Sequence, residues 1–268
     1  MSSATSDKPN ANPKLFIFDN SPEGRILIGP GETGVPDAAE LGRLADSMSA
    51  QGRVSRSSGC DLWAIAKTDF QPQDGYFFAQ RRELPEMCEE SMFRRSGAAF
   101  QMKTLYVKNK FCGECGNVMS DHEADPARVC GACGNVVYPA LSSAVIVAVE
   151  KDGMLLLGHN VNFPNTRYSV LAGFVEPGET LEDAVNREVY EESEVRVKNI
   201  TYFGSQPWPF PNSMMFGFRA DWESGEPRPD GVELTDVRWF APRDLPDIPP
   251  PISISRRLID DWMSRNTR

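Results

Sequence analysis

The chain has 268 residues, of which 40% are hydrophobic and 25% charged, as in ordinary soluble globular proteins. This length predicts about two domains. Its 28 basic and 38 acidic residues give a net charge of −10, which argues against broad electrostatic binding of DNA. No apolar run approaches the roughly 18 residues of a membrane span, and the polar N-terminus does not resemble a secretory signal, so we expect a cytoplasmic protein.

Small, polar and proline residues dominate positions 1–13, where we expect a disordered tail. Residues 14–110 predict an α+β domain with a structural or dimerisation role, since they hold no catalytic constellation. The predicted strands are KLFIFD, RILIG, DLWAIAKTD and GYFFAQRR, and a largely helical stretch covers 83–109 with Gly97 as its weak point. Neither a Walker loop nor G-x-G-x-x-G is present, because GPGETG (29–34) lacks both spacings.

Segment 111–138 contains an internal repeat, because CGECGNV at 112–118 returns as CGACGNV at 130–136. Two C-x2-C pairs can hold one Zn²⁺ in a tetrahedron of thiolates, and four thiolates leave no open position for chemistry. We therefore predict a small structural zinc ribbon, in which His122 is a fifth candidate ligand that the cluster does not need. Unrelated thiols or two disulfides are the alternatives, and a cytosolic chain argues against disulfides. The predicted ligands are Cys112, Cys115, Cys130 and Cys133.

Residues 139–268 alternate strands and turns and contain two helical segments. SSAVIVAVE and MLLLGHN are joined by KDG as a predicted hairpin, and TRYSVLAGF, NITYFGSQ, SMMFGFRADW and VRWFA are further predicted strands. One helix is expected after Thr180, and SISRRLIDDWMSR is expected to form the other. The pattern predicts a domain with a mixed sheet and two helices.

The first of these helices lies in GFVEPGETLEDAVNREVYEESEV, which runs from Gly173 to Val195 and holds eight acidic residues and one arginine. Thr180 and Asp183 form a T-x-x-D capping box, which predicts that the helix begins near Leu181. At about 100° per residue, the apolar stripe of its first turns continues as carboxylates in its last turn. The apolar members are Leu181, Ala184 and Val185, and the acidic members are Glu188, Glu191 and Glu192.

Three carboxylates on one stripe are costly, because like charges one turn apart repel and the C-terminal end of a helix disfavours anions. Divalent cations such as Mg²⁺ or Mn²⁺ would resolve this repulsion, since they take oxygen ligands and leave positions for water and phosphate. A solvated acidic patch is the alternative.

The same stretch resembles the signature of the Nudix hydrolases, G-x5-E-x7-R-E-U-x-E-E-x-G-U, where U is aliphatic. Glu194 stands where the family has glycine, and every other position matches. The resemblance implies metal-assisted hydrolysis of a nucleoside diphosphate linked to another group. It also implies an α+β chain whose C-terminal domain is an α/β/α sandwich with a mixed sheet. The matching residues are Gly173, Glu179, Arg187, Glu188, Val189, Glu191, Glu192 and Val195.

By this resemblance, one of the carboxylates of Glu191 and Glu192 helps to activate water, and Arg187 holds Glu179 in place. The implied ligands of Mg²⁺ or Mn²⁺ are the carbonyl of Ala172 and the side chains of Glu188, Glu191, Glu192 and Glu233. The family glycine suits a left-handed residue at the end of the helix, where Glu194 would cost about 1 kcal/mol. We therefore expect that the helix either ends differently here or carries that strain.

SQPWPFPNS (205–213) combines three prolines with two aromatic residues in a rigid loop. A turn that packs Trp208 and Phe210 into the core is one interpretation. The segment is also similar to the marker of the NADH pyrophosphatase branch of the Nudix family, which carries the same kind of four-cysteine ribbon. This resemblance covers about 112–258, and it implies cleavage of NAD(H) into NMN(H) and AMP. Bacterial members of the branch also remove NAD caps from RNA.

The same resemblance implies that Phe174 and Trp208 stack on the nicotinamide, with Trp208 reaching across a homodimer. Glu233 matches the additional acidic residue that follows the family motif. The remaining substrate contacts implied by the family are Asp125, Tyr138, Gln206, Pro207, Pro209, Phe210, Pro211, Asn212, Ser213 and Ser255.

Two other functions stay open on the sequence. A Nudix hydrolase could act on ADP-ribose or a dinucleoside polyphosphate, although the intact SQPWPFPNS argues against this. A zinc-ribbon module for RNA or protein could carry an inactive Nudix domain, for which Glu194 is the one supporting feature and which the net charge of −10 weakens. In the favoured interpretation NAD(H) is a substrate and not a redox cofactor.

Overall fold

The computed structural model describes residues 13–21, 23–29, 34–54, 61–73, 75–163 and 166–267. The predicted disordered tail, apart from its last residue, and most of GPGETG lie outside these ranges. The chain divides into two compact units, residues 1–140 and 141–268. None of the helices in the described ranges is long and apolar enough to cross a membrane.

The first unit begins with a five-stranded sheet and three helices. Their bounds are β1 Leu15–Phe18, β2 Ile26–Ile28, α1 Leu41–Leu44, β3 Met48–Arg53, β4 Leu62–Ala66, β5 Phe77–Ala79, α2 Leu84–Met87 and α3 Glu90–Lys108. The strand order is β3-β4-β1-β2-β5, in which β1 and β4 are parallel. Alternate residues of β1 point to opposite faces: Leu15 and Ile17 enter one apolar cluster, and the ring of Phe18 meets Phe100 of α3 at 5.7 Å.

Two local predictions in this unit were correct only in part. The helical stretch at 83–109 breaks at Cys88, whose backbone is extended, while Gly97 lies buried within α3 and interrupts nothing. GYFFAQRR is a strand only at Phe77–Ala79, because Gln80 begins a 3-10 turn that is closed by a reciprocal capping box with Glu83. A capping box competes directly with strand pairing for the same backbone groups.

The first unit ends in the ribbon, a three-stranded sheet in the order β6-β7-β8. Its apolar core is small and consists of two buried cysteines, Met119 and the half-buried Val137. A sheet of this size cannot be stable through burial alone. Its strands are β6 Met119–Asp121, β7 Arg128–Cys130 and β8 Val136–Val137.

The second unit contains the predicted mixed sheet and two helices. Their bounds are β9 Ser142–Lys151, β10 Met154–Asn160, β11 Leu171–Phe174, α4 Leu181–Ser193, β12 Arg196–Trp208, β13 Ser213–Ser224, β14 Leu234–Phe240 and α5 Ile254–Asn266. The strand order is β12-β13-β9-β10-β14, and β11 pairs with β9. The pairing of β9 with β13 is parallel and the other pairings are antiparallel.

The two helices lie on opposite faces of this sheet, which the alternation along β9 makes plain. Val145 packs in one cluster with Val185 of α4, whereas its neighbour Ile146 packs in another with Leu258 of α5. Successive strand residues face opposite sides, so the sheet is covered on both. The expected α/β/α sandwich is confirmed.

A capping box begins α4 and a left-handed residue ends it. The predicted capping box is present, since Oγ1 of Thr180 accepts the N–H of Asp183 at 3.1 Å and the Asp183 carboxylate accepts the N–H of Thr180 at 3.1 Å. At the other end Glu194 is left-handed, with φ 57° and ψ 11°. Of the two expected outcomes, Glu194 adopts the conformation that suits the family glycine. The chain is close there, because a Cβ on Gly225 would lie 2.5 Å from the Glu194 carbonyl oxygen.

We expect Glu194→Gly to raise the melting temperature by about 2 °C, because relief of the left-handed strain is worth about 1 kcal/mol in a domain of this size. The exposed ion pair of Glu194 with Arg228, at 3.4 Å, contributes little. Glu194→Ala is the matched control, since it removes the carboxylate and keeps the strain. Differential scanning calorimetry of the three proteins measures the effect, and a glycine variant no more stable than the alanine variant would contradict it.

Candidate metal centres and active site

The four ribbon cysteines form one cluster, with all four sulfur atoms within 4.8 Å of one another. Cys115 Sγ lies 3.4 Å from Cys133 Sγ and 3.5 Å from Cys130 Sγ, and Cys112 Sγ lies 3.6 Å from Cys133 Sγ. Four Zn–S bonds of about 2.3 Å in a tetrahedron place the sulfurs about 3.8 Å apart. The cluster therefore fits a structural zinc ion, as the spacing predicted.

Neighbouring groups favour the thiolate form of Cys112, which is the form that a metal requires. Cys112 Sγ accepts hydrogen bonds from the side-chain amide of Asn135 at 3.5 Å and from the backbone N–H of Glu114 at 3.4 Å. These bonds, with Asn135 as the largest cause, lower the pKa of Cys112 to about 6. His122 stays outside the cluster. Its Nδ1 accepts two backbone N–H groups at 3.0 and 3.1 Å, so it shapes a turn and is not a ligand.

In the second unit, Arg187 ties the acidic segment together. Its guanidinium donates to both oxygens of Glu179 at 2.6 and 2.9 Å, and to the backbone carbonyl of Phe174 at 2.8 Å. Nη1 of Arg187 donates to Glu188 and to Glu191, each at 2.9 Å. The bonds from Arg187 lower the pKa of Glu179 to about 2, so the expected pairing of these two residues is present and Glu179 is ionised.

Gly173 at the end of β11 lies directly against Glu188. A Cβ on Gly173 would lie 1.9 Å from the carboxyl carbon of Glu188, so no other residue fits there without displacing that side chain. Burial of this carboxyl group raises the pKa of Glu188. The glycine of the motif thus has a steric reason, which is the close approach of a strand backbone to a helix carboxylate.

Glu192 is the most deeply buried carboxylate of the acidic helix, with 6% of its surface exposed. Its Oε2 has no hydrogen-bond partner in the described structure. Burial, with smaller contributions from the charges of Glu188 and Glu233, raises the pKa of Glu192 to about 8, although the N–H of Ala172 acts to lower it. A buried, unpartnered carboxylate is unfavourable unless a proton or a cation neutralises it. The residues therefore fit a divalent cation.

The sequence places Glu188, Glu191 and Glu192 on one stripe, but in the structure these three carboxylates differ in burial. Glu191 has 58% of its side chain exposed and turns toward Arg187, because the buried stripe is centred near Val185 and Val189. Glu191 lies at the edge of that stripe. Among the described residues, the cysteines are the one group of three or more potential ligands that converge within 4.8 Å; the carboxylates stand farther apart.

Glu233 and Ala172 reach the same region from the sheet. Glu233 precedes β14, and its charge acts on both Glu188 and Glu192. Ala172 lies on β11 and directs its N–H at Glu192. The sequence did not single out Asp230, whose carboxylate accepts three successive backbone N–H groups just before β14. The signal was available, since aspartate followed by glycine is typical of such turns.

The SQPWPFPNS segment is a hairpin turn between β12 and β13, with Trp208 paired to Ser213. The rings of Trp208 and Phe210 meet edge to face at 5.2 Å and are half-buried, outside the two core clusters of the unit. This differs from a turn that packs both rings into the core. Phe174, at the end of β11, has 52% of its surface exposed. The sheet thus presents aromatic surfaces at two strand ends.

Three polar residues expected at the substrate are buried in the fold. Gln206 is 1% exposed, and its amide bonds to the Ile252 carbonyl at 2.8 Å and the Ile254 N–H at 2.7 Å. Ser255 is buried, with its Oγ 2.8 Å from a neighbouring serine hydroxyl, and Ser213 is buried as well. The side chains of Gln206 and Ser255 therefore hold the start of α5. Sequence spacing could not reveal this, because the partners are distant in the chain.

The other predicted substrate contacts lie in the first unit and in the hairpin of the second unit. Asp125 and Tyr138 are exposed residues of the first unit, and the Tyr138 hydroxyl donates to the Asp125 carboxylate at 3.4 Å. In the hairpin, Pro209 is buried and Asn212 donates to Ser142 Oγ at 3.3 Å. The exposed prolines of the hairpin are Pro207 and Pro211.

Two stretches of the chain match protein-family models. Residues 139–262 match the NUDIX domain, and residues 108–138 match the NADH pyrophosphatase zinc ribbon domain. Over 244 residues, which are 91% of each chain, the protein is 44% identical to "NAD-capped RNA hydrolase NudC" of Enterobacter sp. (strain 638). It is 37% identical over the same length to the protein of that name from Edwardsiella ictaluri, again with 91% of each chain covered.

Among solved structures, a NUDIX hydrolase from Nitrosomonas europaea matches with a TM-score of 0.50 and 27% identity, covering 58% of this chain and 91% of that one. The acidic helix, the close approach of Gly173 and the four-cysteine cluster all lie within the matched regions. The protein belongs to the Nudix hydrolase family and carries a zinc ribbon of the NADH pyrophosphatase type.

Proposed function

We propose that this protein hydrolyses the pyrophosphate bond of NAD(H) in a metal-dependent reaction that yields NMN(H) and AMP. The observation that carries the proposal is the buried Oε2 of Glu192, which has no partner and lies beside other carboxylates in a Nudix helix. The substrate is supported by relatives named NAD-capped RNA hydrolase at 37% and 44% identity across 91% of the chain. For the same reason we extend the proposal to NAD caps on RNA.

A cation is needed because both partners are anionic. The substrate is a diphosphate, and the protein has a net charge of −10. When bound, Mg²⁺ or Mn²⁺ would polarise a phosphoryl oxygen and lower the pKa of a water molecule. The residues that would hold the metal are Ala172 through its carbonyl, and Glu188, Glu191, Glu192 and Glu233 through their carboxylates.

The chain's own residues supply orientation and proton transfer. One P–O bond of the pyrophosphate breaks as the oxygen of water bonds to phosphorus, and each product leaves as a phosphate monoester. We assign the acceptance of the water proton to the carboxylate of Glu191 or Glu192. Arg187 is a positioning residue, since its bonds to Glu179 and Glu188 orient the acidic turn against β11.

We assign the nicotinamide to the aromatic surfaces of Phe174 and Trp208, since stacking on aromatic rings is worth about 1–3 kcal/mol per base. The hairpin residues Pro207, Pro209, Phe210, Pro211, Asn212 and Ser213 would form the frame of that surface. The family resemblance also assigns polar contacts with the substrate to Asp125 and Tyr138. Gln206 and Ser255 would contribute indirectly, because their side chains hold the backbone at the start of α5 in place.

We further propose a cytoplasmic homodimer. The sulfurs of the ribbon cysteines lie 3.4 Å or more apart and form no disulfides, and a zinc cluster of thiolates persists in a reducing compartment. The homodimer follows from the family resemblance.

Purified protein incubated with NADH tests the reaction directly. We expect NMNH and AMP by chromatography with added Mg²⁺ or Mn²⁺, and no products after chelation with EDTA, because the carboxylates alone cannot neutralise the diphosphate. Turnover of ADP-ribose in place of NADH would assign the chain a different Nudix substrate. Inactivity on every nucleotide tested would favour a binding module.

We expect Glu192→Gln to lower kcat for NADH by roughly 10²–10⁴-fold, because it removes a carboxylate from the metal site and a candidate general base. The amide has nearly the same volume, so the melting temperature should not fall. Glu182→Gln is the matched control, since Glu182 is an exposed acid in the first turn of the same helix. Near-normal turnover in Glu192→Gln would remove this residue from the mechanism.

We expect Trp208→Ala to raise KM for NADH by roughly tenfold, in keeping with the loss of one stacking ring. Tyr202→Ala is the control, because Tyr202 is an exposed aromatic residue on the same strand. Steady-state kinetics with NADH and thermal melting of both variants separate binding from stability. A Trp208→Ala enzyme with unchanged KM would refute the stacking role.

A further inference from the structure

We infer that Asp230 is a positioning residue that fixes the turn before β14 and so holds Glu233 at the acidic site. The inference rests on the proposed function, because Glu233 is assigned there as a ligand of the divalent metal. It concerns a residue outside the family motif, and it assigns to Asp230 no contact with metal or substrate.

The carboxylate of Asp230 binds three successive backbone N–H groups. Oδ1 accepts from Val232 at 3.1 Å, Glu233 at 3.2 Å and Leu234 at 2.8 Å, and Oδ2 accepts from Glu233 at 3.1 Å. Gly231 completes the turn, with a φ of 72° and its N–H bonded to the Leu234 carbonyl at 3.1 Å. One side chain thus determines the course of the backbone from 230 to 234.

The far side of the turn is held by the sheet. The Val161 N–H donates to the Glu233 carbonyl at 2.9 Å, and Leu234 is buried in the core as the first residue of β14. A Cβ on Gly158 would lie 2.7 Å from Leu234 Cδ1 and 3.1 Å from Leu171 Cδ2, so this end of β14 packs beside β11. The N–H of Glu233 is held by Asp230 and its carbonyl by Val161, the residue that follows β10.

This placement directs a charged side chain toward the acidic helix. β11 contributes Ala172 and Gly173, which contact Glu192 and Glu188. The charge of Glu233 raises the pKa of both of those glutamates, which supports the proximity that the packing indicates. Because Glu233 itself is exposed, no side-chain packing orders it, and the backbone beneath it must be fixed by other means.

Hydrogen bonding and charge can be separated by two substitutions at this position. In Asp230→Ala the three N–H groups lose their acceptor, whereas in Asp230→Asn an amide oxygen can still accept them. Groups that orient a metal ligand typically change metal affinity by 10–100-fold when removed. We expect Asp230→Ala to weaken Mn²⁺ binding about tenfold and Asp230→Asn to retain most of the affinity.

The experiment measures Mn²⁺ binding by electron paramagnetic resonance in the full-length chain, together with hydrogen exchange of the amides of 232–234 without metal. Asp230→Ala should speed this exchange, and Asp230→Asn should restore most of the protection. In a Glu233→Gln background, Asp230→Ala should weaken Mn²⁺ binding no further, because the ligand that it orients is gone. An equal loss of affinity in both backgrounds, or none in either, would overturn the inference.

The outcomes distinguish this inference from the proposed function. A wild-type protein that binds Mn²⁺ with the expected coupling and does not hydrolyse NADH would contradict the proposed substrate and leave the role of Asp230 standing. A protein that hydrolyses NADH while Asp230→Ala binds Mn²⁺ like the wild type would contradict the role of Asp230 alone. A wild-type protein that binds no Mn²⁺ would overturn both.

Discussion

One guanidinium group holds the acidic end of α4 together. Arg187 bonds to three carboxylates and to the carbonyl of Phe174, so it neutralises part of the local charge and fastens the helix to β11. Arginine suits this task because its planar fork presents several donors in fixed directions. Without such a cation, carboxylates at successive turns would repel and the end of the helix would lose its place on the sheet.

The sandwich makes this arrangement rigid. α4 packs through Val185 onto one face of β9, and α5 packs through Leu258 onto the other. The end of β11 has no side chain at Gly173, which lets a helix carboxylate approach the strand backbone. Sites built on packed strands and helices keep their geometry better than sites on loops. The buried Glu192 is therefore held beside Glu188 by the core of the domain.

The ribbon and the left-handed end of α4 show two different ways of sustaining local structure. The ribbon has a core of only a few residues, and four sulfurs within 4.8 Å provide a metal site where a larger core would otherwise be needed. Glu194 instead keeps a conformation that favours glycine, where the backbone of Gly225 packs against its carbonyl and the Arg228 N–H donates to the carbonyl of Ser193. The strained residue follows the acidic turn, so it affects the helix end without displacing the carboxylates.

The sequence by itself determined the features that depend on residues close in the chain. Two C-x2-C pairs predicted the metal cluster, and the capping box predicted the start of α4, because both depend on short-range geometry. Apolar strands separated by turns predicted a mixed sheet with two helices, and the family resemblance implied the α/β/α sandwich. Only the tertiary structure decided that Glu192 is buried while Glu191 is exposed, since this depends on which side of the stripe meets the sheet. The hydrogen bonds of the Gln206 side chain could not be predicted either, because its partners lie 46 and 48 residues away in the chain and sequence spacing carries no information about such contacts.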